Sequence, residues 1–435
     1  MTDLNWPFLG GAALEIESAS GVHLTTRDGR RILDAAGGAI VVNIGHGRRR
    51  VADRIAEAAL TCSYVVPPWV TPSRRAMVEA LEANWLDAAF TRLHFTSGGS
   101  EAVEAAMKLA LQYHAARGHG SRNQILSRAV SYHGTTVATT AVSGHAARRR
   151  GLEHGLPRPP TIPTPDALRC PLGANHPDAG AYYAGAVREA IVEAGPENVA
   201  AFLAEPITGA SGGAIVPPAD YWPRVSEICR EFGVLLILDE VMTGFGRTGT
   251  NFAYQQWEIL PDILIAGKGL AGGYAPLGGV FATEPVGAAI GAAGLQVMFH
   301  TFAAHPTACA AAAEVLDILV EEQLVARADR MGTMLLERLQ DAFREHPHVS
   351  DVRGRGLLQA IEIVSDRATL TPFPMEAQIT RRVVDAALER GVFFYAGGTG
   401  EMRDIICLGP PFVIEERHVD EMVSVLRQSV DAVTR

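Results

Sequence analysis

Short apolar runs alternate with longer stretches of helical periodicity between about residues 90 and 300. Small and apolar residues recur on one face of the stretch Glu101–Arg117, which predicts an amphipathic helix. Strands that alternate with helices predict an α/β fold, with a mainly parallel central sheet sandwiched by helices. The predicted strands are Leu93–Phe95, Gln124–Leu126, Ala200–Leu203, Leu235–Leu238, Ile263–Ala266, Gly279–Phe281 and Gln296–Phe299.

The pattern changes after Pro306, where a long helical region is followed by strand-like runs and a final helix near Glu415–Val433. Near the start, "HLTTRDGRRILDAAGG" predicts a hairpin. A chain of 435 residues is too long for one small core. We predict an N-terminal segment (1–45) that joins a small α+β domain, a large domain (46–305), and the C-terminal part of the small domain (306–435).

The net charge of −10 argues against a nucleic-acid partner or an anionic membrane surface. Two arginine clusters, Arg48–Arg50 and Arg148–Arg150, are interpreted as solvated loops. Five scattered cysteines without a C-x-x-C pair indicate reduced thiols. No signal peptide and no apolar run of about 20 residues is visible. We therefore expect a cytoplasmic protein.

Polar residues follow the predicted strands, at the edge of a parallel sheet where ligands bind. In strand order they are Ser97–Ser100, Tyr132 and His133 of "SYHG", Glu205, Asp239 and Lys268. Lys268 lies between glycines, and a partly desolvated lysine has the lowered pKa that Schiff-base chemistry requires. Asp239 ends a buried strand, where an unpaired carboxylate is costly. Pyridoxal phosphate (PLP) needs both groups, since its pyridinium nitrogen takes an anionic partner.

The stretch "HFTSGGSEAVEAAMKLA" predicts a strand, a glycine turn and a helix with Ser100 as its N-cap. Such a helix start binds phosphate through free N–H groups. Tyr132 is a candidate to stack on the cofactor ring. Two other motifs lack their context: "GFGRTG" (Gly244–Gly249) precedes no clear helix, and "GASGG" (Gly209–Gly213) is followed by "AIVPP". The histidines show no metal-ligand spacing.

The sequence resembles the class III aminotransferases, PLP enzymes of fold type I, and within them the amine:pyruvate (ω-transaminase) branch. The motifs that carry the resemblance, in the family's order, are "LDAAGGAIVVNIGHG", "FTSGGSEAVEAAMKLA", "SYHGTT", "AEPITGASGGAIVPP", "LLILDEVMTGFGRTG", "PDILIAGKGLAGGYAPLGG", "HTFAAHP" and "LGPPFVI". The resemblance implies a homodimer with shared active sites, or a pair of such dimers. It makes Lys268 the Schiff-base lysine and proton shuttle, and Asp239 the partner of the pyridinium. The other cofactor contacts that it implies are Gly99, Ser100, Tyr132, His133, Glu205, Val241 and, from the partner subunit, Thr301.

Departures from the family pattern bear on the substrate. Glutamate-coupled members carry a gating glutamate where this chain has Ala210, and often an arginine where it has Leu111. The amine:pyruvate branch commonly has a tryptophan where this chain has Ile40, so a larger pocket is expected. Arg403 is the only arginine in the loop where that branch has its carboxylate-binding arginine.

Trp69 and Tyr64 are candidates for residues that one subunit contributes to the substrate site of its partner. The sequence thus predicts transfer of an amino group from an amine or ω-amino donor to a keto acid, pyruvate in particular. The alternatives are a 4-aminobutyrate, diamine or amino-sugar aminotransferase coupled to glutamate, or a PLP aminomutase. Two further alternatives do not involve PLP chemistry: an α/β-hydrolase that uses Ser211, and a binding protein without catalytic activity.

Overall fold

The structure is a computed structural model that describes residues 14–158, 160–295 and 299–435. Its strands are β1 (Ile16–Ser20), β2 (His23–Thr26), β3 (Arg31–Asp34), β4 (Phe90–Thr96), β5 (Gln124–Leu126), β6 (Val199–Ala204), β7 (Leu235–Asp239), β8 (Ile263–Ala266), β9 (Gly278–Thr283), β10 (Val349–Arg355), β11 (Leu358–Ile363), β12 (Val392–Phe393), β13 (Tyr395–Thr399) and β14 (Met402–Leu408). Its helices are α1 (Gly37–Ile40), α2 (Arg49–Thr61), α3 (Pro72–Asn84), α4 (Gly99–Ala116), α5 (Val137–Val142), α6 (Ala146–Arg149), α7 (Ala179–Ala194), α8 (Tyr221–Phe232), α9 (Glu284–Ala292), α10 (Pro306–Glu321), α11 (Leu324–Phe343), α12 (Ile379–Glu389) and α13 (Glu416–Thr434).

The central sheet has the order β4-β9-β8-β7-β6-β5. Strands β5 to β8 run parallel, whereas β9 is antiparallel to both of its neighbours. A parallel bridge between Arg128 and Ile162 extends the sheet beyond β5. The mainly parallel sheet is therefore confirmed, with six of the predicted strands. The strand predicted at Gln296–Phe299 lies, apart from Phe299, outside the described residues, and Phe299 is not in a strand.

Alternate residues of β6 pack on opposite faces of the sheet. Ala201 and Leu203 join the cluster formed by α4 and α9, and Phe202 joins the cluster formed by α7 and α8. All six residues of β6 are buried. A strand covered on both faces has no polar side, which explains its continuous apolar run.

Two smaller sheets combine distant parts of the chain. The first has the order β1-β2-β3-β12, in which β12 pairs in parallel with β3, and β2 and β3 form the predicted hairpin. The second has the order β10-β11-β14-β13. The predicted long helical region is two helices, α10 and α11, because the chain turns at Gln323, where φ is +52°. The division at residues 45 and 305 stays a prediction.

Candidate active site

The carboxyl ends of the central strands open into a cavity of about 420 Å³. Strand β7 ends at Asp239, Lys268 follows β8, and Glu205 follows β6. Of the sequence-predicted site residues, the cavity is lined by Gly99, Ser100, Tyr132, His133, Glu205, Ala210, Asp239, Val241 and Lys268. Its lining within this chain does not include Ile40, Tyr64, Trp69, Thr301 or Arg403.

Lys268 is fixed by an unusual backbone conformation. Its φ is +37°, in the left-handed region that side chains other than glycine rarely adopt. The next residue, Gly269, accepts a hydrogen bond of 3.0 Å from the Asn43 amide. Burial lowers the pKa of Lys268 to about 8, although the negative charges of Asp239 and Glu205 act in the opposite direction. Near neutral pH the neutral, nucleophilic amine is therefore far more abundant than for a lysine with its ordinary pKa.

Asp239 is buried and held at both carboxylate oxygens. Its Oδ2 lies 2.8 Å from Nδ1 of the buried His133, and its Oδ1 accepts a hydrogen bond of 3.1 Å from the Val241 N–H. No lysine or arginine within the described ranges forms an ion pair with it. A buried, oriented carboxylate without a permanent cation suits a ligand that brings its own positive charge.

Glu205 is paired with Arg128, a site residue that the sequence does not predict. Arg128 is fully buried, donates to the Glu205 backbone carbonyl and lies 3.9 Å from its carboxylate. The other Glu205 oxygen, Oε1, accepts from the Gly209 N–H at 2.9 Å. Burial raises the pKa of Glu205, and the nearby charges of His133 and Arg128 oppose that rise. Arg128 lies between β5 and "SYHG", in a stretch without periodicity, so no local signal marks it.

The helix α4 presents its first turn to the cavity at Gly99 and Ser100. The prediction that Ser100 is its N-cap is wrong, because the helix begins at Gly99 and Gly98 is the N-cap. Ser100 Oγ instead accepts a hydrogen bond of 3.1 Å from the Thr135 N–H. First-turn N–H groups have no partner inside a helix, so they can bind an anion. A Cβ at Gly99 would lie 3.0 Å from Val241, so the turn fits closely only without a side chain.

These residues fit PLP. Lys268 supplies the amine, and Asp239 supplies the acid that the ring nitrogen needs. The first turn of α4 supplies an anion site, and Tyr132 and Val241 line the cavity as apolar candidates for the two ring faces. His133 Nε2 and Glu205 Oε2 are buried without a hydrogen-bond partner among the described residues, as expected beside a polar ligand.

Two predicted substrate residues lie elsewhere. Ile40 is buried against Gly409, and its neighbour Ala39 lines the cavity instead, so Ile40 does not enlarge the pocket directly. Arg403 donates to the carbonyls of Phe373 and Gly400, at 2.6 and 3.3 Å, and its guanidinium is thereby held away from the cavity.

Tyr64 and Trp69 lie on the surface of this chain, and Trp69 is 65% exposed. Tyr64 packs edge to face on Phe302, with ring centroids 6.2 Å apart. Phe302 follows Thr301, so the residues predicted to act in a partner subunit form one exposed region.

The described residues contain no group of three or more His, Cys, Asp or Glu side chains arranged to hold a metal ion. None of the described helices combines the length and the apolar character that crossing a bilayer requires.

A parallel sheet that delivers a low-pKa lysine and a buried aspartate to one cavity, beside a helix start, defines a PLP-dependent enzyme of fold type I. The chain belongs to the class III aminotransferases, whose family model, "Aminotransferase class-III", matches residues 10–430. It is 36% identical to a taurine–pyruvate aminotransferase of Rhodobacter capsulatus, over 95% of this chain and 90% of that protein. It is 31% identical to a putrescine–pyruvate aminotransferase of Pseudomonas aeruginosa, over 96% and 90%. An amine transaminase structure from an uncultivated Pseudomonas species has a TM-score of 0.92 at 36% identity, covering 99% of each chain.

Proposed function

We propose that the enzyme transfers an amino group from an amine or ω-amino donor to a keto acid, with pyruvate as the acceptor. The observation that carries the proposal is the placement of Lys268 and Asp239 in one cavity whose lining includes the small Ala210. A glutamate at that position would put a further negative charge in the cavity. Two relatives, a taurine–pyruvate and a putrescine–pyruvate aminotransferase, support the same acceptor.

Each cavity residue has a proposed task. Asp239 would keep the ring nitrogen protonated, Gly99 and Ser100 would hold the phosphate, and Tyr132 and Val241 would contact the ring faces. When bound, PLP supplies an electron sink for the pair left on the substrate carbon. The Nζ of Lys268 would take the proton from the donor's carbon, and in the second half of the reaction it would deliver a proton to the carbon of the acceptor. A pKa of about 8 permits both roles near neutral pH.

The neighbours of these residues would hold them in place. His133 orients the Asp239 carboxylate through the 2.8 Å contact. Glu205 and Arg128 neutralise one another beneath the cavity, because a buried charge is tolerated only with a partner. The Ala210 carbonyl accepts a hydrogen bond of 2.7 Å from Gly398, which attaches the cavity wall to β13.

We also propose that two copies form a homodimer in which Tyr64, Trp69 and Thr301 reach the partner's cavity. These residues are exposed and outside the cavity of their own chain, as that arrangement requires. The five cysteines form no disulfide, which supports placing the enzyme in the reducing cytoplasm.

The test is a panel of donors and acceptors on the purified holoenzyme. Pyruvate and 2-oxoglutarate are compared, each with aliphatic amines, aryl amines, β-alanine and 4-aminobutyrate. We expect transfer to pyruvate, and its loss in Lys268→Ala because the catalytic base is removed. A strong preference for 2-oxoglutarate would overturn the acceptor assignment. Full activity of Lys268→Ala would overturn the mechanism.

A further inference from the structure

Three consecutive arginines, Arg148 to Arg150, have three different environments. Arg149 is buried, Arg150 is exposed, and Arg148 is exposed and also lines the cavity. The interpretation of this cluster as solvated is therefore wrong for Arg149, which is buried. Arg148 and Arg150 are exposed, but Arg148 also lines the cavity.

Arg149 fixes the short helix α6, which carries Arg148. Its guanidinium donates to the carbonyls of Thr140 and Ala141 at 2.9 and 2.8 Å, and to the carbonyl of Pro157 at 2.6 Å. An arginine that satisfies several carbonyls from a buried position orders the backbone around it. The Cα of Arg148 is thereby held at the cavity wall.

Arg148 brings a permanent positive charge to the wall of the cavity. Apart from Lys268, it is the only lysine or arginine among the described lining residues. Across the described ranges its guanidinium makes no hydrogen bond or ion pair. Its charge acts inside the cavity, because it further lowers the pKa of His145, already lowered by burial, and opposes the burial-driven rise in the pKa of Tyr132.

The acidic groups of the cavity do not compete for this cation. The Asp239 carboxylate is held by the His133 ring and the Val241 N–H, and Glu205 is paired with Arg128. Arg403, the arginine nominated from the sequence, is held by backbone carbonyls instead. A keto acid that enters the cavity brings a carboxylate, which needs a cationic partner to leave water.

We infer that Arg148 binds the acid group of the substrates, and that the enzyme takes 2-keto acids and also amines that carry a carboxylate or sulfonate. This inference rests on the proposed function. The planar guanidinium can hold two acid oxygens at once. A neutral amine donor leaves Arg148 hydrated, because the side chain is exposed, so such donors bind without a penalty at this residue.

The test compares Arg148→Gln and Arg148→Lys with the matched control Arg150→Gln, all as holoenzymes. Each half of the reaction is followed separately by the absorbance of the bound cofactor, first with donor and then with pyruvate after the donor is removed. The donors are butylamine, β-alanine and taurine, which present no acid, a carboxylate and a sulfonate. Calorimetry with propanoate, which cannot react, measures binding of the acid group without turnover.

We expect Arg148→Gln to weaken the binding of pyruvate, β-alanine, taurine and propanoate by about 10- to 100-fold. This is the loss expected when a charge-assisted hydrogen bond is removed. Arg148→Lys should recover part of this loss, and butylamine should react as with the unaltered enzyme. Unchanged pyruvate and propanoate binding in Arg148→Gln, or an equal loss in Arg150→Gln, would overturn the inference. If the unaltered enzyme transfers no amino group from any donor, the proposed function fails, whereas propanoate still tests Arg148.

Discussion

Asp239 shows how a single residue is prepared for a charged ligand. Two contacts fix its carboxylate, one from the His133 ring and one from the Val241 N–H, so the group cannot turn away from the cavity. Ordering the carboxylate in the folded protein removes an entropic cost from cofactor binding.

The pH dependence of cofactor attachment follows from the pKa of Lys268. Only the neutral amine of Lys268 attacks the carbonyl of PLP. The rate at which PLP becomes covalently attached to the cofactor-free protein should therefore rise as pH passes through about 8 and then level off. The negative charge of Asp239 raises the lysine pKa, so Asp239→Asn should move the midpoint to lower pH. Stopped-flow absorbance measures this rate.

The same replacement should lower turnover by about 100-fold or more, because the ring nitrogen of the cofactor would lose the carboxylate that keeps it protonated. Asp53→Asn, a surface replacement, is the control for both effects. A midpoint that moves to higher pH in Asp239→Asn would contradict the assigned electrostatics.

The sequence predicts the residues whose chemistry is tied to a strand end. Lys268 and Asp239 follow buried strands, and strand direction alone places both at one edge. Arg148 is different, because its position depends on the path of the chain between Gly134 and Pro157, which includes the short helices α5 and α6. No periodicity distinguishes it from Arg149 or Arg150, so only the folded segment shows which arginine meets the cavity.

At the scale of elements, Arg74 joins two loops that the chain separates by more than 200 positions. It lies in the first turn of α3, and its side chain is buried. Its guanidinium donates to the backbone carbonyls of Val65, Val66, Pro67, Trp69, Ala303 and Ala304. The loop that carries Tyr64 and the turn that carries Thr301 are therefore ordered by one side chain.

Replacing Arg74 should loosen both loops together. We expect Arg74→Gln to destabilise the protein by about 2–4 kcal/mol, because several buried carbonyls lose their donor. Urea unfolding measures this loss, and limited proteolysis should show faster cleavage near residues 62–70. Arg75→Gln is the matched control, since Arg75 is exposed on the same helix. Equal stability of the two variants would contradict the role of Arg74.

The sequence predicts elements that have a hydrophobic pattern of their own. It does not predict strands that form only through pairing with a neighbouring strand. The continuous apolar runs of β6 to β8 indicate strands by themselves. By contrast, β13 contains "YAGGT", which has low strand propensity, and it forms through pairing with β14. The two-residue strand β12 likewise forms through its parallel pairing with β3.

At the scale of the whole molecule, one region exposes large apolar side chains. Trp69, Val70, Phe299 and Phe302 are each more than half exposed, and Phe302 is 59% exposed. An apolar surface of this kind usually marks a contact with another protein. The proposed homodimer would cover it and bring Thr301 to the partner's cavity.

Phe302→Asp should therefore shift the enzyme from dimer to monomer, because a charge would be buried in an apolar contact. Sedimentation velocity measures the shift, and activity should fall with it. Met375→Asp is the matched control, since Met375 is 71% exposed outside this region. If both variants sediment as the unaltered protein does, this surface is not the dimer contact.

The pairing of β12 with β3 has a consequence for how the protein is made. The strand at Arg31–Asp34 leaves the ribosome well before its parallel neighbour Val392–Phe393, which is translated more than 350 residues later. Until then the edge of β3 has no partner and can pair with another nascent chain. Low expression temperature or chaperones that shield early segments should accordingly raise the yield of native enzyme.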